Sequence, residues 1–228
     1  MATAGLEDTK VRVLEAAGRI FAERGFRDAT VRDICQAAGV NLAAVNYHFG
    51  DKERLYIESV KFAHRMRLQQ VPMPEWPEGT PPAAKLHAFI YAFLCRVLAD
   101  DGLGWESQLM MREVAQPTGA CEELVREYIR PHFALLQRII GELVPESMPE
   151  AERHRIGFSI VGQCLHYRIC KPIIRLLISA EEYEQNDPAT LAEHICRTTL
   201  AALGTGQSLV GGACSTTIPA TSNTEPQR

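Results

Sequence analysis

The chain has 228 residues, 46% apolar and 23% charged, with 28 Asp and Glu against 24 Lys and Arg. These values exclude a wholly disordered chain, a collagen and a disulfide-built miniprotein. The net charge of −4 is uneven: residues 1–70 hold eleven Lys and Arg against nine Asp and Glu, a net +2, and the remainder holds −6. A front part less acidic than the back is compatible with a nucleic-acid partner for the front.

Apolar residues recur every three to four positions and no stretch alternates as a strand does, so the predicted fold is all-α. Asp8 or Thr9 can cap a first helix that runs to about Arg24, buries Val13, Ala17, Ile20 and Phe21, and stops at Gly25. Thr30 caps a short second helix with Asp33 at its positive end, and Val31, Ile34 and Ala38 face inward. Gly39 turns the chain, and Asn41 caps a third helix that ends near Phe49, itself a core aromatic. Asp51 then caps a fourth helix from Lys52 to about Gln70.

Five prolines among residues 71–82 forbid a helix there and mark a linker. Residues 83–99 are apolar almost all round, the signature of a central buried helix. A helix from Trp105 to about Ala115 follows. Next comes one over 119–143 that Pro131 should kink, then a long one over about 149–179 that Pro172 should bend. Ser147 and Glu150 form a capping-box pattern at the start of that long helix. Asp187 opens a last helix to about Leu203, and residues 204–228, rich in Gly, Ser, Thr and Pro, read as a disordered tail.

No run of eighteen apolar residues and no apolar leader is present, so we expect no membrane span, no signal peptide and a cytoplasmic protein. Seven cysteines, an odd number without a CxxC pair, suit a reducing compartment and give no metal-site spacing. Cys164 and Cys170 lie six apart, off a shared helical face. Cys164 and His166, the best candidates for a nucleophile and base, diverge by about 200° on a helix and cannot meet. With no Gly-rich phosphate loop either, we expect no catalytic residues, no cofactor and no enzyme.

Two short capped helices joined at a glycine turn and braced on both sides describe a three-helix helix-turn-helix unit, whose third helix would enter a DNA major groove. The run Thr30-Val31-Arg32-Asp33-Ile34-Cys35-Gln36-Ala37-Ala38-Gly39-Val40-Asn41, with Tyr47-His48-Phe49 and Asp51-Lys52-Glu53-Arg54-Leu55 after it, resembles the TetR family of bacterial transcriptional regulators. Met111-Arg112-Glu113-Val114 and the run from Ile160 to Arg168 resemble its CecR (YbiH) subgroup. The resemblance implies a DNA-binding domain over residues 1–70, a linker over 71–82 and an effector-binding and dimerisation bundle over 83–203. It also implies a homodimer on a palindromic operator, and regulators of this kind often sit beside transporter or efflux genes. A repressor released by a small organic effector is the leading expectation. The alternative is a ligand-independent architectural or partner-binding factor on the same fold.

The side chains agree with that implication. Leu42, Ala43 and Ala44 open the recognition helix and offer only apolar contact or close backbone approach. Asn46 can pair bidentately with adenine and is the best candidate base reader. Tyr47, His48 and Lys52 match the family's phosphate-contacting positions. Thr30 is a cap that can also face a phosphate, and Asn41 is placed at the same surface. Arg32 can reach DNA or pair with Asp28 or Asp33.

In the back half, Trp105, Leu109 and Arg112 share one helical face, and Gln163 and Tyr167 share another. These five are the candidate ligand residues. Two other readings stay open: Gln163 with Tyr167 as a satisfied core pair, and Arg112 with Glu113 as a bracing ion pair. Ser159, Gly162 and His166 form a small-residue face, and with Leu191 and Ile195 they are the candidate dimer interface.

Overall fold

The computed structural model describes residues 2–98 and 104–204. Their regular structure is all helix, with no strand among them. Helix α1 (Ala2–Asp28) starts earlier than expected, so Asp8 lies inside it, paired with Arg12 at 3.8 Å, and caps nothing. Gly25 interrupts α1 with φ 79 and ψ 174, a conformation that costs a residue with Cβ dearly. Helices α2 (Val31–Ala38) and α3 (Leu42–Phe49) follow, joined through Gly39 in the left-handed region. Helix α4 (Lys52–Gln70) completes the front part. The expected caps form: Thr30 accepts from the Asp33 amide at 3.1 Å, Asn41 from Ala44 at 2.9 Å and Asp51 from Arg54 at 2.7 Å.

After a segment without helix at residues 71–81 come α5 (Pro82–Leu98) and α6 (Trp105–Ala115). The expected helix over 119–143 is three pieces: α7 (Gly119–Leu124), a π-helical turn (Val125–Ile129) and α8 (Arg130–Leu143). Pro131 explains the division. It lacks an N–H and crowds the turn before it, and the widened turn absorbs both faults. The expected long helix also divides, into α9 (Glu150–Ile169) and α10 (Lys171–Leu177), because Pro172 sits in the first turn of α10 and Cys170 leaves helical geometry. The Ser147 capping box does not form; Pro149 starts α9 without a side-chain cap. A short α11 (Ala180–Glu184), not foreseen, precedes α12 (Pro188–Ala202), whose cap Asp187 accepts from Ala189 and Thr190. The tail expected after Gly204 lies outside the described residues.

Two cores result. The second joins α5, α8, α9 and α12 through Leu86, Phe89, Ile90, Leu136, Ile160, Leu191 and Ile195. The first joins α1 to α4 with α6 and α7, from beyond the linker, through Phe21, Ile34, Val45, Tyr56, Trp105, Leu109 and Leu124. Trp105 packs so closely on α1 that a Cβ at Gly18 would collide with the indole. Polar contacts fasten the same junction. Arg112 donates to the carbonyls of Ala22 at 3.2 Å and Glu23 at 3.0 Å. Buried Glu113 accepts from the Tyr56 hydroxyl at 2.8 Å and from the Thr118 amide at 2.7 Å. Arg54 and Lys61 on α4 hold Glu123 at 2.8 and 3.3 Å, and Lys61 reaches Glu127 at 2.8 Å.

Candidate nucleic-acid interface

Side-chain spacing in α3 decides which residues can face a groove. Val45 and Phe49, four apart, are buried against the first core. Leu42, Ala43, Asn46 and Tyr47 are therefore turned outward, and all four are exposed. Leu42 is 55% exposed and Tyr47 is 77% exposed. Large apolar side chains left in water on a rigid two-turn helix have no packing role, so a partner surface accounts for them better. Ala44 and His48 are half-buried at the margin, and the His48 ring meets Tyr47 edge-on at 5.1 Å.

The flanking polar groups keep donors to spare. The Thr30 oxygen accepts a backbone amide as cap, which leaves its hydroxyl proton free to donate outward. Asn41 spends its oxygen on the Ala44 amide and keeps its NH2. Asp33 is taken by Arg24 at 2.9 Å, so Arg32 is exposed and unpaired among the described residues. Lys52 differs from a free surface cation. Its ammonium donates to the Arg27 carbonyl at 3.1 Å and lies 4.9 Å from the centre of the Phe26 ring, which fixes it beside the end of α1.

The ligand candidates are not brought together. Trp105 and Leu109 belong to the first core and Arg112 binds α1, so these three brace the front part. Arg112 and Glu113 form no ion pair with each other; each bonds a different element. Gln163 is exposed, and among the described residues it bonds the Ser159 carbonyl alone, at 3.3 Å. Tyr167 lines a 140 Å³ recess with Arg168, Lys171, Arg175 and Tyr183, and Arg112 lines a separate 450 Å³ recess with Phe26 and Tyr56, so no recess joins the two. Of the dimer candidates, Ser159, Gly162 and His166 are exposed, but Leu191 and Ile195 are buried inside the second core and cannot form a seam. Both lie on the inward stripe of α12, which the sequence pattern cannot tell from an intersubunit stripe.

Sequence reasoning also missed an exposed apolar strip on α9 and α10: Phe158, Ile169, Ile173, Leu176 and Leu177, with Leu176 87% exposed. It missed a polar group as well: buried Arg96 with half-buried His64 and His132, each on a different helix. Among the described residues no helix is long and apolar enough to cross a membrane, and no group of His, Cys, Asp and Glu could hold a metal ion.

Comparison with known proteins gives two family matches. Residues 13–58 match the family described as bacterial regulatory proteins, tetR family. Residues 82–203, more than half of the chain, match the C-terminal domain of the HTH-type transcriptional dual regulator CecR. A CecR dual regulator from Shigella flexneri is 27% identical over 179 residues, 75% of this chain and 80% of that protein. The transcriptional repressor AcnR of Corynebacterium efficiens is 44% identical over 50 residues, 22% of this chain and 27% of that protein. A crystal structure of a tetR-family regulatory protein from Rhodococcus RHA1 has the same fold, with a TM-score of 0.62 at 16% identity, covering 86% of this chain and 96% of that one.

Proposed function

Because the chain belongs to the TetR family of bacterial transcriptional regulators, with a CecR-type C-terminal domain, and is a DNA-binding regulator and not an enzyme, we propose that it acts as a homodimeric repressor released by a small organic effector. The observation that carries the DNA-reading half is the outward face of α3: Leu42, Ala43, Asn46 and Tyr47 exposed together on a helix pinned by Val45 and Phe49. In this reading Asn46 reads an adenine. Leu42 and Ala43 meet thymine methyls, and Thr30, Arg32, Asn41, Tyr47, His48 and Lys52 meet phosphates and set the register.

The seam of the dimer is the strip of Phe158, Ile169, Ile173, Leu176 and Leu177 with exposed Ser159, Gly162 and His166 beside it. Small residues let the backbones approach, and the apolar ones gain from burial. A two-fold protein then reads an inverted repeat.

The effector acts through α6. Arg112 on the carbonyls before Gly25, and Glu113 on Tyr56 of α4, tie α6 to both helices that brace the recognition unit. A ligand that favours one position of α6 shifts the spacing of two recognition helices by its differential affinity, and a typical coupling is about 1–3 kcal/mol. Selection of bound duplexes from a random pool, followed by footprinting, tests the reading. An inverted repeat protected on both halves is expected, and a single protected half-site bound by a monomer refutes it.

A further inference from the structure

Helix α5 is the apolar centre of the second core, yet it carries Arg96, only 9% exposed. A guanidinium stays charged and offers five donors. Among the described residues no carboxylate pairs with it; its one hydrogen-bond partner is the Met73 sulfur, 2.8 Å from Nη1. Thioether sulfur is a weak acceptor and carries no charge. Among the described acids, Glu123 and Glu127 are held by Lys61 and Glu58 by Arg54. A buried cation without a counter-charge is costly to the fold, and an anion from outside the chain would offset that cost.

The neighbours of Arg96 are consistent with that. His64 on α4 has a buried Nε2 with no hydrogen-bond partner. Its ring lies 5.8 Å from that of His132 on α8 and 4.7 Å from that of Tyr128 in the π-helical turn. Burial, with the Arg96 charge behind it, brings both imidazoles down to about 4, so both are neutral near pH 7 and the buried charge of the group is that of Arg96. One positive charge balances one negative charge, which selects a monoanion over a phosphate dianion. The rings of Phe93, 5.9 Å from the guanidinium, and Tyr128 give the remainder of a ligand apolar walls. Met73 covers the guanidinium from the proline-rich segment, which has no helical hydrogen bonds to lose if it moves aside.

We propose that the junction of α4, α5 and α8 binds a monocarboxylate with an aromatic or aliphatic body, its carboxylate taken by Arg96 and His64 in place of the Met73 sulfur. Naming this ligand as the effector rests on the regulator reading given above; the site itself does not.

The test titrates the full chain with benzoate, phenylacetate and hexanoate by calorimetry at pH 7, each acid beside its uncharged amide. At least one acid binds, and at least tenfold tighter than its amide. Arg96→Met removes the charge and keeps the length. It weakens that acid at least tenfold, yet in the absence of ligand it melts no lower than wild type, because an uncompensated charge has left the interior. His64→Gln weakens the acid by about threefold to tenfold. The site is overturned if none of the three acids binds, or if the bound acid is indifferent to Arg96→Met. A marked fall in the ligand-free melting temperature of Arg96→Met also overturns it, since Arg96 would then be structural. Operator binding separates the two claims. Weakening of operator affinity by fivefold or more makes the acid an effector. An acid that binds through Arg96 and leaves operator affinity unchanged removes the regulatory role and leaves the carboxylate site standing.

Discussion

Asn46 and Lys52 sit six residues apart at the same surface, yet their surroundings give them different work. The Asn46 side chain is exposed and makes no hydrogen bond among the described residues, so its amide is free for a base edge. Asn46→Ala is expected to cost about 1–3 kcal/mol on the cognate operator and to relax preference at one base pair. Affinities measured on the operator and on single-base variants check this. An equal loss on random duplex would make Asn46 a backbone contact. Lys52 is fixed over Phe26 and on the Arg27 carbonyl. Lys52→Ala should weaken every duplex alike and lower the salt slope by about one unit, read from binding isotherms over a range of salt.

Arg112 shows what a residue can hide from its sequence. Its position on a helical face was legible, but its partners lie 90 and 89 residues earlier in the chain, and spacing reports only neighbours within a turn or two. Arg112→Ala is expected to destabilise the protein by about 1.5–3 kcal/mol through its hydrogen bonds to two carbonyls. Arg112→Lys should recover only part of that, since an ammonium lacks the fork that spans both. Urea unfolding of the three proteins decides it, and a silent Arg112→Ala would return the residue to the list of ligand candidates.

At the scale of helices, what acts locally could be read. The caps Thr30, Asn41, Asp51 and Asp187 bond amides two or three residues ahead, and the turn at Gly39 needs a left-handed residue. Proline positions were legible as faults in a helix but not as their outcome: Pro131 gave a widened turn and Pro172 a break. The inward stripe of α12 was legible as apolar, but whether a stripe meets its own subunit or another depends on packing far along the chain.

Helices α4 and α8 also make a pH-dependent pair. His64 and His132 have pKa values of about 4 in the fold, and near 6.5 when unfolded. Between these values the unfolded chain takes up protons that the folded chain refuses, so stability falls as pH drops from about 6.5 towards 4. Glu127, held below the carboxylate range first by its hydrogen bond from Lys61, loses its contribution lower, as pH falls through its own folded value. Urea midpoints at pH 7 and pH 5 should therefore differ less in a His64→Gln, His132→Asn double variant than in wild type. An unchanged difference would assign the pH dependence to other groups.

For the whole molecule, the exposed strip on α9 and α10 sets the expected assembly. Leu176 and Ile173 are left mostly in water by the monomer, and a charge there would meet its own copy across a two-fold seam. Ile173→Glu with Leu176→Glu should sediment as a monomer while keeping its helical content, and its operator affinity should fall because two half-sites are no longer read at once. A variant that remains a dimer would place the seam elsewhere.

The first core draws Trp105, Leu109, Ala120 and Leu124 from beyond the proline-rich segment to cover α1 and α4. The recognition unit is thus not a detachable cassette. Residues 1–70 grafted onto an unrelated regulator would leave bare the ground under Trp105 beside Gly18 and would strand Tyr56 without Glu113. Conversely, a protease that cuts within residues 71–81 should yield two fragments that stay together as one particle until denaturant parts them. A chimera that keeps this operator preference has to carry α6 and α7 with it, and the natural crossover point for exchanging specificities lies on the surface of α3, not at the linker.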